Sequence, residues 1–266
     1  MQNGPPTSSF KPIQCFDTTP TNSILCAGTE QVGSDSYVLF WDARSANLMG
    51  GYWESHSDAI TSIKFNAQKG NIFASGDTGG MINIFDINQT EEDEALMTTL
   101  NCEDSVSKMT WFKKQEKMDF LAITTHSETL QVFEAEEDTD KQQSYAFSRQ
   151  SVAHSIRRLS QEHVFLIDVI ESKDKGFLLL AGSDYEKNKC LRFSVFKSKK
   201  LKPYINLPLD VTNRGHIRSC VELSGGLCYV TGSEGGILDL WKPGSTAKEE
   251  SLKLSSKKSD KRSKPY

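Results

Sequence analysis

No apolar run approaches the roughly 18 residues that a membrane-spanning helix needs, and the amino-terminal MQNGPPTSSFKP lacks the apolar core of a secretory leader. The chain is therefore expected in the cytoplasm and/or the nucleus, with no membrane partner. Cysteine is sparse and unpaired in pattern. The six, at positions 15, 26, 102, 190, 220 and 228, include no C-x-x-C pair, and none has a histidine at zinc-ligand spacing. Cys26 and Cys228 fall in apolar runs, where a free thiol behaves as a small buried hydrophobe, so neither a metal nor a disulfide framework is expected. Catalytic patterning is also missing. No nucleophile stands in a known relation to a base, no carboxylate pair marks a pocket, and His126, His154 and His163 lie apart from obvious partners. A non-enzymatic chain without a cofactor is the expectation; an enzyme that gathers its residues from several repeats is the alternative of another class.

What the chain does contain is a segment that occurs twice. Phe73 to Asp86 reads FASGDTGGMINIFD and Tyr229 to Lys242 reads YVTGSEGGILDLWK, without a gap. Three weaker copies follow the same template: Leu25 to Gly28 with Tyr37 to Asp42, Leu121 to Glu134, and Leu178 to Phe196. The closing aromatics Trp41, Phe85, Phe133, Phe196 and Trp241 are spaced by 44, 48, 63 and 45 residues by subtraction. That spacing is close to the roughly 40–45 residues of a four-stranded propeller blade. In Met81-Ile-Asn-Ile-Phe85, Ile82 and Ile84 fall on one side of a strand, Met81 and Phe85 on the other. A strand apolar on both sides belongs in a sheet sandwiched between neighbours. Gly79-Gly80 and Gly235-Gly236 supply the positive φ of tight hairpins; no helix pattern follows either pair, which argues against a phosphate loop. The predicted fold is an all-β propeller of about five four-stranded blades over residues 12–243. Residues 1–11 and the tail 244–266 are expected to be disordered.

Trp41-Asp42, Phe85-Asp86 and Trp241-Lys242, with His56 and Gly215-His216 upstream, resemble the WD-repeat family. The resemblance implies a network within each blade that links a histidine, a strand hydroxyl, a turn aspartate and the tryptophan. It assigns His56, Ser75 and Phe85 in one copy, and His216, Thr231 and Trp241 in the other, to structure. Gly79 and Gly235 stand at the expected aspartate positions, so both networks are expected to be incomplete. Cys26-Ala-Gly-Thr-Glu30, Ser55-His-Ser-Asp58 and Leu240-Trp-Lys-Pro-Gly244 are similar to a seven-bladed member of that family, which implies an incomplete ring here.

The formal charge is −4, yet Lys248 to Lys264 carries seven basic residues against three acids, or +4, which leaves −8 before it. An acidic body argues against duplex nucleic acid as a ligand. The runs Glu91–Glu94 and Glu134–Asp140 read as solvated loops, or as a landing surface for a basic partner such as a ribosomal protein or histone. Lys257-Lys258 with Lys261-Arg262 has the form of a two-cluster nuclear localisation signal, and Arg157-Arg-Leu-Ser160 that of a basophilic kinase site; both patterns also arise by chance.

The family resemblance implies a scaffold for protein or peptide ligands. It points to the loops between second and third strands and those leading into each blade. Candidate contacts there are Trp53, Asp77, Arg214 and Glu234, with packing between blades as the other reading of Trp53. Trp41-Asp-Ala-Arg44 resembles the motif by which substrate receptors dock on a cullin-RING ubiquitin ligase. The other reading of Arg44 is a hydrogen bond within its own turn.

Overall fold

The computed structural model describes residues 11–114, 118–134, 144–172, 174–184, 189–208, 215–223 and 225–242. The runs that are apolar at both parities become strands of five antiparallel sheets. The first holds β1 (Ile13–Thr18), β2 (Ile24–Thr29), β3 (Ser36–Asp42) and β4 (Leu48–His56), paired in that order. The second holds β5 (Ile60–Phe65), β6 (Ile72–Asp77), β7 (Met81–Asp86) and β8 (Leu96–Asn101), with the single-turn helix α1 (Glu92–Ala95) before its last strand. The third holds β9 (Val106–Lys114), β10 (Met118–Thr125), β11 (Leu130–Glu134) and β12 (Ser144–Phe147). Helix α2 (Arg149–Ser155), capped by the Ser148 side chain, leads into β13 (Val164–Ser172), β14 (Gly176–Ser183), β15 (Cys190–Lys197) and β16 (Lys200–Leu207). Among the described residues the last sheet has three strands where four were expected: β17 (Ile217–Leu223), β18 (Cys228–Ser233) and β19 (Leu238–Trp241). The chain is thus an open β-propeller of five blades.

First strands of successive blades pack side by side and are laced by hydrogen bonds. Thr61 Oγ1 donates to the Val106 carbonyl (2.6 Å), and Thr110 Oγ1 to that of Val169 (2.6 Å). Lys108 Nζ reaches further, to the Ile167 carbonyl (2.8 Å), the Asp168 carboxylate (3.0 Å) and the Arg218 carbonyl (2.7 Å). One ammonium therefore ties blades 3, 4 and 5 together, with all three of its donors used.

Each interface between consecutive blades holds its own apolar cluster, because alternate side chains of a strand face opposite neighbours. Phe85 packs toward blade 1 in a stack with Phe73 (5.1 Å) and Tyr52 (4.9 Å), whereas Ile82 and Ile84 face blade 3. Further clusters join blade 3 to blade 4 and blade 4 to blade 5. Among the described residues no such cluster joins blade 5 to blade 1. Val221, Val230 and Leu240 are paired across the outer face of blade 5, next to Leu238, which is 77% exposed; on blade 1 Phe16 is 68% exposed. Exposed apolar sheet faces of this kind drive association. The isolated 266-residue chain is expected to elute as oligomers that shrink on dilution when measured by size-exclusion chromatography with light scattering. A concentration-independent monomer would contradict this.

In each glycine pair only the second residue has positive φ, +88° at Gly80 and +70° at Gly236. At Gly80 a Cβ would lie 2.9 Å from the backbone of Asp104, so the position needs glycine twice over.

Candidate interaction surface

Because strands alternate in direction, every link that follows an even-numbered strand emerges at one end of the propeller. Those links join laterally into a rim. Gln31 Nε2 donates to the Ser57 carbonyl (2.7 Å), which connects the β2–β3 loop to the β4–β5 link. Asp58 and Asp104 flank the Gly79-Gly80 turn, and Ser127 Oγ donates to Asp104 Oδ1 (3.1 Å) in the next blade. His163 Nδ1 lies 3.2 Å from Asp184 Oδ1, between the links of blades 3 and 4. The rim carries Asp35, Asp58, Glu103 and Asp104 on its first three blades, and none of these four is ion-paired among the described residues. Further round, α2 and the residues after it present Arg149, Arg157 and Arg158.

The structure distributes the expected site residues unevenly. Asp77 was expected at the binding surface; it is 2% exposed and lies 2.7 Å from His56 Nδ1, whose Nε2 is 2.7 Å from Ser75 Oγ. This corrects two expectations, because Asp77 occupies the place of the aspartate thought missing at Gly79. Its Oδ1 also accepts from the Met81 amide (2.9 Å), which fixes the hairpin. Aspartate, histidine and serine in this order have the composition of a nucleophilic triad, but Ser75 is wholly enclosed, so no substrate carbonyl can reach it.

Blade 5 differs because Ser233 stands where Asp77 does. Without that carboxylate His216 turns outward, is exposed, and sets its ring edge-on to Phe165 at 5.5 Å. Its expected pairing with Thr231 is absent. Trp241 Nε1 alone reaches Thr231 Oγ1, at 2.8 Å.

Trp53, considered as an exposed anchor, is 7% exposed, and its ring meets Tyr37 edge-on at 5.0 Å. Burial excludes it from a contact surface. Glu234 is exposed on the rim and bonded by Arg218 Nε (2.8 Å), whose guanidinium holds its carboxyl below the usual carboxylate range. Arg214 lies outside the described residues, as do 135–140 of the second acidic run, residues 1–10 and the whole tail 243–266. Lys11, expected in a disordered segment, is buried with Nζ 3.9 Å from the Tyr37 ring centroid. Arg44 is exposed at the opposite end, in the β3–β4 turn.

The first acidic run is not a solvated loop throughout. Glu92 is buried, and its carboxylate accepts from the amides of Trp53 (2.6 Å), Glu54 (3.0 Å) and Ser55 (2.7 Å) and from the Ser55 hydroxyl. Helix α2 was also unforeseen; Ser148 followed by Val152, Ala153 and Ile156 at helical spacing is the signal that finds it. The six cysteines are free thiols, and burial pushes Cys15 and Cys220 up to about 12, where neither is a nucleophile at neutral pH.

No family model matches the chain. It is 31% identical over 121 residues to an uncharacterized WD repeat-containing protein, YNL035C, of Saccharomyces cerevisiae, covering 45% of this chain and 30% of that one. It is 22% identical over 154 residues to the WD repeat-containing protein 89 homolog of Dictyostelium discoideum, covering 58% and 42%. A shorter match, 32% over 69 residues, is to histone acetyltransferase type B subunit 2 of Candida albicans, covering 26% of this chain and 18% of that one. The chain thus spans less than half the length of these relatives. Among solved structures, the β-propeller domain of Cps50 (Swd1) from Myceliophteria thermophila superposes with a TM-score of 0.65 at 14% identity, covering 91% of this chain and 68% of that domain. A chain of a mitotic checkpoint complex gives 0.59 at 16% identity, covering 87% and 64%. Blade pairing and the superpositions define the fold, an open β-propeller, and the sequence matches make the chain similar to WD repeat-containing proteins.

Proposed function

We propose that the chain is a non-enzymatic protein-interaction scaffold whose rim end receives a basic peptide or protein segment. The observation that carries this reading is the set of carboxylates Asp35, Asp58, Glu103 and Asp104, without an ion pair among the described residues, on laterally joined loops of adjacent blades. Rigid blades hold such loops in fixed relation, and function in this architecture belongs to the loops. Two similar chains bear names or titles placing them in protein assemblies, a histone acetyltransferase subunit and a checkpoint complex, which agrees with the reading. A nuclear or ribosome-assembly setting would supply basic partners. Rim charges act mainly on association rate and salt dependence. Capture from cell extract with wild type and with a variant carrying Asn or Gln at the four positions is the test. The variant is expected to keep its melting temperature, to lose the captured proteins, and to flatten the salt dependence of binding to those proteins. An unchanged captured set with an unchanged salt slope would overturn the reading.

A second reading places ubiquitin-ligase adaptor docking at the opposite end, through Arg44. It is favoured by one contact pattern: Asp42 Oδ1 caps the amides of Arg44 (2.8 Å) and Ser45 (3.2 Å), while no hydrogen bond engages the Arg44 side chain in its own turn. Co-precipitation of adaptor subunits that is lost in Arg44→Ala would support it, and their absence from wild-type captures would end it.

A further inference from the structure

We propose that Ser160 is a phosphate-acceptor site for a basophilic serine/threonine kinase. The proposal stands apart from the scaffold reading and rests on how the blade 3 to blade 4 link is built. Ile156 and Val164 are both fully buried in one apolar cluster, so residues 157–163 form an arc pinned at its two ends. Arg157 takes φ +59°, which turns the chain out of α2 toward solvent. Leu159 is 85% exposed and Ser160 is exposed beside it. The arc pairs with no strand. Its start is held by backbone bonds to α2 and its end by the Asp184 amide donating to the His163 carbonyl (3.2 Å), while its middle is held by α2 side chains, Gln150 Nε2 donating to the Leu159 carbonyl (3.0 Å) and Arg149 Nη2 to that of Glu162 (3.3 Å). Such exposed bonds yield readily to a kinase cleft that must draw the segment into extended form.

The residues on the arc supply the recognition chemistry. Kinases of this class discriminate by acidic subsites that read basic residues ahead of the acceptor. Arg157 is exposed and Arg158 half-buried, with Nε 3.2 Å from Cys190 Sγ. The exposed Arg157 guanidinium can form a charge-assisted bond with a kinase carboxylate. Ser160 Oγ accepts from the Glu162 amide (3.2 Å), which leaves its hydroxyl proton to be donated to a kinase carboxylate. In the transfer, Oγ bonds to the γ-phosphorus of ATP, the bridging P–O bond breaks, ADP leaves and the proton passes to the base. With His163 neutral, the arc carries Arg157 and Arg158 against Glu162, a net +1. A phosphate of about −2 turns it to about −1 and changes the sign of this sector of the rim.

The test uses the folded 266-residue protein with the catalytic subunit of cyclic-AMP-dependent kinase and Mg-ATP, followed by phosphopeptide mapping. Incorporation at Ser160 is expected, lost in Ser160→Ala and slowed at least tenfold in Arg157→Ala, with both variants melting as wild type. A synthetic 154–166 peptide serves as the reference for intrinsic recognition. Phosphorylation of the peptide but not of Ser160 in the folded chain would overturn the proposal, as would labelling confined to the tail serines, a rate indifferent to Arg157→Ala, or no labelling of either peptide or protein.

Discussion

Glu92→Ala is expected to destabilise the protein by about 3 kcal/mol or more, whereas Glu91→Ala and Glu94→Ala, one and two positions away, change stability by no more than about 0.5. The three carboxylates belong to one acidic run, and only the middle one is enclosed. Its two oxygens receive three consecutive amides of β4 and one hydroxyl, so this one side chain takes up the largest share of the polar contacts between blade 2 and the outer strand of blade 1, beside His56–Asp77 and Asn83 Nδ2 to the Ser55 carbonyl (2.6 Å). Truncation leaves those donors without an acceptor, and stranded polar groups at a packed interface cost more than the net worth of the bonds themselves. Glu92→Gln keeps one carbonyl oxygen but sets an NH2 donor against an amide donor, and about half of the loss is expected. Thermal melts read the result: in a protein of this size about 3 kcal/mol corresponds to roughly 6–12 °C. Equal shifts for Glu91→Ala and Glu92→Ala would mean that the run acts through its net charge and not through this contact.

The parts of the architecture legible beforehand were those written in local pattern. Period-two runs apolar at both parities announced sheets covered on both faces, and Ile82, Ile84 and Phe85 divide between two interfaces as that parity requires. The glycine pairs marked the hairpins because a tight turn needs a residue that tolerates positive φ, a need that is local too. What escaped were contacts between residues far apart in sequence whose types are ambiguous alone. Asp77 read as a surface loop residue because acids usually are; its partner His56 ends β4 of the preceding blade, and only folding brings Nδ1 and Oδ2 to 2.7 Å. Glu92 was indistinguishable from Glu91 and Glu94 for the same reason. Trp53 looked exposed since polar residues flank it, but β4 is covered on both faces from Gly50 to Trp53, and the indole turns back over Gly51. His216 shows the converse: the resemblance assigned it by position, and one substitution, Ser233 for the aspartate, removed the charge that would have held it.

Lys108 adds a consequence for mechanics. It spans three blades at the inner strands, while the outer faces of blades 1 and 5 have no neighbour among the described residues. Stability in a stacked array is a sum over units and their interfaces. Blade 5, with one interblade apolar cluster and three strands among the described residues, against four strands in blade 1, is therefore expected to open first, and the contacts confined to it decide how readily.

Trp241 is the main such contact, and its replacement is expected to have the largest effect of any substitution in blade 5. The side chain is buried in the cluster between blades 4 and 5 with Phe193 and Tyr229, and its indole N–H donates to Thr231. Trp241→Ala removes the ring and strands that hydroxyl, so about 3–5 kcal/mol is expected, whereas His126→Ala on the exposed rim should cost no more than about 0.5. Trp241→Phe separates the two contributions: it keeps most of the apolar contact and loses the hydrogen bond, for which about 1 kcal/mol is expected. Because His216 has left the network, the Thr231 hydroxyl has no other hydrogen-bond partner among the described residues, and the loss should appear locally. Amide hydrogen exchange is expected to accelerate across β17 to β19 in Trp241→Ala while blades 1 to 3 keep their protection. Uniform acceleration through all five sheets would show instead that the open ring unfolds as one unit, and comparable losses for Trp241→Ala and His126→Ala would mean that the closing aromatic does not hold the blade.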